Sequence, residues 1–87
     1  MLDEMIGQKV VVDFRSPFVC LGTLVGHDEL FLDMKNADLH DLRDTETTRE
    51  NYVFGAHTTG IKRNRKRVLL VRADIVAITL LTDLVDD

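Results

Sequence analysis

The chain has 87 residues, of which 45% are hydrophobic and 30% are charged, and its net charge at pH 7 is −4. This composition is typical of a folded protein and excludes collagen-like, low-complexity and disordered classes. A domain this small buries only roughly 60–65% of the surface that its unfolded chain exposes, so its stability is marginal when it is alone. We therefore predict one domain over residues 1–87 that gains from self-association.

The cysteine count and the apolar runs bear on the compartment. Cys20 is the only cysteine, which excludes an internal disulfide and is typical of a reducing environment. Residues 1–5 are acidic where a secretory leader needs basic residues. The longest apolar stretch, Ile75 to Leu81, is far shorter than the roughly 20 residues that a membrane helix needs. We expect a cytoplasmic protein that does not span a membrane.

The amino-terminal residues predict a short helix followed by a strand. In residues 1–7, Leu2, Met5 and Ile6 share one helical face, and Gly7 is a natural stop. Residues 8–42 then carry the first three predicted strands. The first, over residues 9–14, is rich in β-branched residues. Its side chains on the predicted core face are Val10, Val12 and Phe14.

The second and third strands carry signs of strong curvature and of one buried face. Residues 18–26 contain Gly22 and Gly26, and interior glycines indicate a sharp bend or a close approach of another backbone. In the third strand apolar residues alternate with others, which predicts a half-buried strand. Its predicted core residues are Leu30, Leu32 and Met34, with Phe31 on the opposite face.

Residues 43–67 form a polar insertion before the fourth strand, and residues 83–87 form an acidic tail. Thr47 and Glu50 have the spacing of a capping box, which favours a short helix; an irregular segment is an equal alternative. A long excursion in so small a domain is often functional or mobile.

The last two strands, within residues 68–82, are apolar on consecutive residues, which indicates burial on both faces. A single chain of this size cannot readily cover a terminal hairpin on two sides, so we expect a second subunit to do so. The predicted oligomer interface consists of Val68, Leu69, Leu70, Val71, Ile75, Val76, Ile78 and Leu80.

The order of these elements and two short motifs resemble the Sm-like (LSm) family of small β-barrels. Gly22-Thr23-Leu24-Val25-Gly26-His27-Asp28, followed by the alternating strand from Leu30, is similar to the first Sm motif. Val71-Arg72-Ala73-Asp74, followed by Ile75, is similar to the second, with Ala73 where the family has glycine. The resemblance implies an all-β, SH3-like barrel of five strongly bent antiparallel strands after an amino-terminal helix. It also implies a ring in which the fourth strand of one subunit pairs with the fifth of the next.

RNA-binding members of the family hold a base with an aromatic side chain, an Asn after the turn aspartate and the Arg of the second motif. By resemblance, Arg72 matches that Arg, whereas Phe31 or Leu32 stands where the Asn would be. Phe31 can stack on a base, but burial is the alternative for its ring. Arg72 can equally reach a ligand or pair with Asp28 or Asp74.

Five of the eleven basic residues lie within residues 62–67, here called the basic stripe. Closely spaced cations neutralise phosphates and release counterions, so the stripe is a candidate for sequence-independent RNA contact. The alternatives are a solvated loop, or contact with an acidic surface of a neighbouring copy. The basic residues are Lys62, Arg63, Arg65, Lys66 and Arg67, and the acidic candidates are Asp38, Asp41, Asp44 and Glu46.

No catalytic, cofactor or metal pattern is present in the sequence. His27, His40 and His57 are scattered, no nucleophile motif or phosphate-binding glycine loop occurs, and the carboxylates fall on predicted turns. We predict a non-enzymatic, ring-forming Sm-like module without cofactor that binds single-stranded RNA. The alternative is a structural or protein-interaction oligomer that does not bind nucleic acid.

Overall fold

The computed structural model of the protein describes residues 1–44 and 47–85. Five antiparallel strands form one sheet in the order β4-β3-β2-β1-β5. The strands are β1 (Lys9–Phe14), β2 (Phe18–His27), β3 (Phe31–Asp41), β4 (Arg65–Val71) and β5 (Ile75–Leu80), and helix α1 (Arg49–Thr59) lies between β3 and β4. Short 3-10 turns occupy Leu2–Met5, Leu42–Asp44, Arg72–Asp74 and Leu81–Asp83.

The predicted all-β class, with a short amino-terminal helix and five antiparallel strands, is confirmed. The amino-terminal helix is a single 3-10 turn, in which Leu2 and Met5 pack against the core. Ile6 does not share a helical face with them, because it lies after the turn in extended conformation and its side chain is 42% exposed. Gly7 ends the turn at a φ of +85°, a conformation that favours glycine.

The inner face of the sheet carries the larger of two apolar clusters. The core residues predicted from β1, namely Val10, Val12 and Phe14, all belong to it, as do Leu32 and Met34. Leu30 does not, because it precedes β3 in the turn and is 67% exposed. The other buried members of this cluster are Cys20, Leu24, Ala37 and Leu70.

The pairing of β2 with β3 shifts register next to each of the two glycines of β2, and irregularities of this kind bend a strand. A Cβ atom at Gly22 would lie 3.0 Å from both the Cα and the Cβ of Ala37, so this glycine admits a close approach of β3. At Gly26, apart from its two chain neighbours, no atom of residues 1–44 and 47–85 lies within 4 Å of such a Cβ. Crowding therefore requires glycine at the first position only.

β3 runs to Asp41, well beyond the clear alternation of the sequence. Asn36 has a φ of +50°, and the β2–β3 register accommodates an extra β3 residue at this point. The irregularity changes the phase of the strand, so that Ala37 faces the core together with Met34. This change of phase explains why the sequence alternation fades after Lys35.

The insertion contains helix α1, which covers the second face of the sheet. Thr48, not the predicted Thr47, caps α1: its Oγ1 accepts a hydrogen bond of 3.2 Å from the amide of Asn51. An ion pair of 3.5 Å joins Arg49 Nε to Asp13 Oδ1 of β1. The buried residues of this second cluster are Val11, Val19, Leu21, Val53 and Leu81.

The last two strands differ from the prediction in three ways. β4 begins at Arg65, not Val68, so part of the basic stripe is strand. β4 and β5 do not form a hairpin, because the Arg72–Asp74 turn sends them to opposite edges of the sheet. Their burial is one-sided: Leu70 is 4% exposed in the core, whereas Leu69, Val71 and Val76 are 59%, 53% and 65% exposed.

Two observations concern the described residues as a whole. Within residues 1–44 and 47–85, no helix has the length and apolar character that crossing a membrane requires. Glu46 of the predicted acidic surface and Asp86 and Asp87 of the predicted tail lie outside the described residues.

Candidate nucleic-acid interface

The first part of the candidate interface is the turn between β2 and β3. Asp28 Oδ1 accepts hydrogen bonds from the amides of Leu30 and Phe31, at 2.8 and 2.7 Å. The Phe31 and Leu30 amides hold the pKa of Asp28 below its ordinary value, because they stabilise the ionised carboxylate. The Asp28 amide in turn donates to the Phe31 carbonyl oxygen at 3.0 Å. The side chain of Asp28 thus fixes the backbone from which Phe31 projects.

A second turn, which joins β4 to β5, is tied to the first through Arg72. The Arg72 amide donates to the Leu30 carbonyl oxygen at 2.9 Å, and its guanidinium donates to the carbonyl oxygen of Asp28. The sequence offered Asp28 and Asp74 as partners of Arg72. In the structure the guanidinium contacts the backbone of Asp28, whereas the Asp74 carboxylate accepts a hydrogen bond of 3.0 Å from the Ser16 hydroxyl.

Together the two turns form a groove of about 440 Å³, here called the corner site. Phe31 and Arg72 both border it, and Phe31 pairs in register with Val71 across β3 and β4. A second groove, of about 250 Å³, borders Phe31 and extends to Asp33 and Leu69. The complete lining of the corner site is Glu29, Leu30, Phe31, Val71, Arg72 and Ala73.

The chemistry of the corner site combines an aromatic ring, apolar surface and one guanidinium. Phe31 is half-buried, so neither full exposure nor full burial of its ring holds. A ring at the rim of a groove offers a face for stacking, and a guanidinium beside it offers charge and donors for a phosphate or a base edge. Glu29 is the one carboxylate in the lining, and it opposes an anionic ligand.

The basic stripe is divided between a loop and a strand. Arg65, Lys66 and Arg67 begin β4, whereas Lys62 and Arg63 precede it. Arg67 binds Asp33 of β3 through two hydrogen bonds, Nε to Oδ1 at 3.0 Å and Nη2 to Oδ2 at 2.6 Å. The positive charge of this arginine is therefore already neutralised within the chain.

Asn64 holds the loop part of the stripe against β3. Its Oδ1 accepts from the Leu39 amide at 3.0 Å, and its Nδ2 donates to Asp38 Oδ1 at 3.1 Å. Arg63 Nη1 donates to Asn36 Oδ1 at 2.6 Å. The stripe is thus an ordered edge, and the side chain of Asn64, which was not singled out from the sequence, is what attaches it.

The predicted acidic surface is largely engaged inside the chain. Asp38 accepts from the Tyr52 hydroxyl as well as from Asn64, and desolvation raises its pKa. Arg43 donates to both carboxylate oxygens of Asp41 and lowers the pKa of that group to about 2. Asp44 is exposed.

The predicted oligomer interface separates into three groups by burial. Leu69, Val71 and Val76 are exposed, whereas Leu70 is a core residue that is 4% exposed. The remaining predicted members, which are half-buried against the core of their own chain, are Val68, Ile75, Ile78 and Leu80.

For metals, the described residues contain no group of three or more His, Cys, Asp or Glu side chains that could hold an ion. The Cys20 thiol is buried, and burial raises its pKa to about 12, with a smaller contribution from the charge of Asp38.

Solved structures of the same shape identify the architecture. An Sm protein of Pyrococcus abyssii, whose structure was determined in complex with a uridine heptamer, is 15% identical with a TM-score of 0.62, over 91% of this chain and 90% of that one. An Sm-like protein of Archaeoglobus fulgidus is 18% identical with a TM-score of 0.61, over 92% of this chain and 88% of that one.

The chain has an Sm-like fold. No sequence-family model and no curated protein matches the chain. At identities this low the likeness establishes the fold, and the Sm-like architecture agrees with the resemblance that the glycine and arginine motifs indicated.

Proposed function

We propose that this Sm-like module assembles into a ring and binds single-stranded RNA, without catalysis, at the corner site. The observation that carries the RNA proposal is that Phe31 and Arg72, far apart in sequence, border one groove. The Pyrococcus abyssii protein of the same fold was solved with a uridine heptamer, which makes single-stranded RNA the first ligand to test.

Assembly is supported by the two open edges of the sheet. Within the described residues, β4 pairs only with β3, and β5 only with β1. Unpaired strand edges are sites at which another chain adds, and exposed apolar side chains beside them favour that addition. Leu69, Val71 and Val76 are such side chains.

Titration of a labelled uridine heptamer with the purified protein, at low and moderate salt, tests RNA binding. Loss of one stacked base costs about 1–3 kcal/mol, so we expect Phe31→Leu and Arg72→Ala each to weaken binding by roughly tenfold. Lys9→Ala is the matched control, because it also removes one cation. Lys9 is the first residue of β1, whereas the Arg72–Asp74 turn lies beside the last residue of that strand.

Binding that is unaffected by both corner variants contradicts the corner site. Binding that is absent at low salt contradicts RNA binding altogether, since electrostatic contacts are strongest there. Light scattering on the same preparations reports assembly separately, and a monomer at every concentration contradicts the ring.

The second candidate function is a structural or protein-interaction oligomer without nucleic acid. Three observations favour it: Glu29 lines the groove, Arg67 is neutralised by Asp33, and no Asn follows Asp28 at the family position. Its signature is a stable oligomer that fails to bind the heptamer at low salt.

A further inference from the structure

Two of the three cations at the start of β4 have no ion-pair partner among residues 1–44 and 47–85. Within the described residues, Arg67 has an ion pair to Asp33, but neither Arg65 nor Lys66 has one. The Arg65 guanidinium donates instead to the carbonyl oxygen of Asn64, at 3.1 Å. Both side chains are exposed and lie on a strand whose outer edge is unpaired.

The direction of pairing decides what a neighbouring copy would place beside these cations. All four strand pairs of the protomer are antiparallel. β4 has seven residues and β5 has six, so an antiparallel pair that overlaps along its whole length sets the start of one strand against the end of the other. Arg65 and Lys66 would then lie beside the segment that follows β5 of the neighbour, the Leu81–Asp83 turn.

Charge complementarity supports this direction over the parallel one. Asp83 is exposed at the end of that turn, and the sequence beyond it carries two further acids and no base. A parallel pair would instead set the cations against Ile75 to Ala77, which carry no charge, and the nearest acid, Asp74, already accepts from Ser16.

We propose that Arg65 and Lys66 of one copy bind Asp83 of the neighbouring copy across a β4–β5 seam. This inference rests on the assembly part of the proposed function and adds the partner of the basic stripe: it is a second copy of this chain, not a phosphate backbone. The exposed apolar residues further along β4, Leu69 and Val71, close the same seam. The charge pair gives the seam its direction and makes assembly sensitive to salt.

Charge reversal tests the pair on the full chain by light scattering over a range of protein concentrations. We expect Asp83→Lys to weaken association by at least about tenfold at low ionic strength, because like charges then face each other. The Arg65→Glu/Lys66→Glu double variant should do the same. Combining the three substitutions in one chain should restore association, because every seam then carries the reversed pair.

The matched control for Asp83→Lys is Glu4→Lys, which makes the same charge change outside β4 and β5. Lys9→Glu, at the start of β1, makes half the charge change of the double variant and controls for charge reversal of a cation elsewhere. In roughly 1 M salt the Debye length falls to about 3 Å, so the difference between native chain and variants should shrink. Circular dichroism confirms that each variant is folded.

The outcomes separate the two proposals. A native chain that is monomeric at all concentrations overturns both the ring and the charge pair. A native oligomer that none of the reversals weakens, or that the combined variant fails to restore, overturns the charge pair alone and leaves the ring intact.

Discussion

Leu69 and Leu70 are adjacent in β4, yet one is 59% exposed and the other 4%. Leu70 points to the inner face of the sheet, where Leu32 and Met34 of β3 cover it. Leu69 points to the outer face. It lines the smaller of the two grooves that the side chain of Phe31 borders. The outer face of β1 and β2, by contrast, is covered by α1 through Val53.

The difference shows where one chain of this length can complete its own packing. Eleven residues of helix are enough to cover the centre of the sheet but not its β4 edge. Folding of one chain therefore completes the inner layer, whereas the β4 edge is where we propose that a second copy adds. Substitutions in the inner layer should change the free energy of unfolding, and substitutions at the β4 edge should change the free energy of association.

The leucine pair provides the largest expected contrast. Leu70→Ala leaves a cavity in the core and should lower the free energy of unfolding by about 2–5 kcal/mol. Leu69→Ala should change the stability of the monomer by about 0.5 kcal/mol or less, since exposed side chains contribute little, and should weaken assembly instead. Urea unfolding below the association concentration, with light scattering above it, measures the two effects. Equal destabilisation by both variants would contradict the comparison.

The two glycines of β2 provide a second contrast, between a crowded and an open position, with a smaller expected effect. Gly22→Ala places a Cβ 3.0 Å from the backbone of Ala37, and overpacking of this kind should cost about 1–3 kcal/mol. Gly26→Ala meets no atom within 4 Å and should be neutral or slightly stabilising. Urea unfolding of both variants provides the measurement, and a costly Gly26→Ala would show that the open end of β2 is as crowded as its middle.

The N-cap of α1 tests how strongly this helix is stabilised on the outer face of the sheet. Thr48→Ala removes the hydroxyl that accepts from the Asn51 amide and should cost about 1 kcal/mol. Hydrogen exchange should show faster opening of α1 with little change in β1 and β2. Thr82→Ala, an exposed threonine in the last turn, is the control. Uniformly faster hydrogen exchange throughout the sheet would mean that helix α1 and the sheet open together.

The smallest expected effect concerns acid stability at the corner site. Because its folded-state pKa is lowered, ionised Asp28 contributes stability that is present above its ordinary pKa of 3.8 and is lost as pH falls through the folded value. Asp28→Asn keeps an oxygen that accepts from both amides but carries no charge. The melting temperature of the native chain should exceed that of the variant near pH 7, and the two should converge as the pH falls below the ordinary pKa of 3.8. A difference that is independent of pH would contradict the role of the charge.

Much of the inner layer could be predicted from the sequence. Alternation and β-branching predicted β1 residue by residue, and Leu32 and Met34 followed from the same period. The prediction for Leu30 is wrong because the alternation begins at Leu30, whereas the turn held by Asp28 extends to Phe31, the first residue of β3. The change of phase at Asn36 could not be predicted, since a positive φ at one residue leaves no periodic signal.

The candidate interface was predictable in composition and not in arrangement. Phe31 and Arg72 were identified by resemblance to the Sm motifs, and the structure brings them to one groove. The pairing of Arg67 with Asp33 depends on the β3–β4 register, which no local pattern specifies. The consecutive apolar residues of β4 and β5 likewise give no hint that the two strands lie at opposite edges of the sheet.

Local chemistry in this chain dictates which segments become strands, where β2 must bend and which cations cluster, because side-chain period, glycine and charge act over a few residues. The contacts between distant segments dictate which of two adjacent leucines is buried, which arginine of β4 forms an ion pair within the chain and which strand edges stay unpaired in the protomer. Those outcomes depend on strand order and register, which are settled by packing of the whole sheet against an apolar cluster on each of its faces.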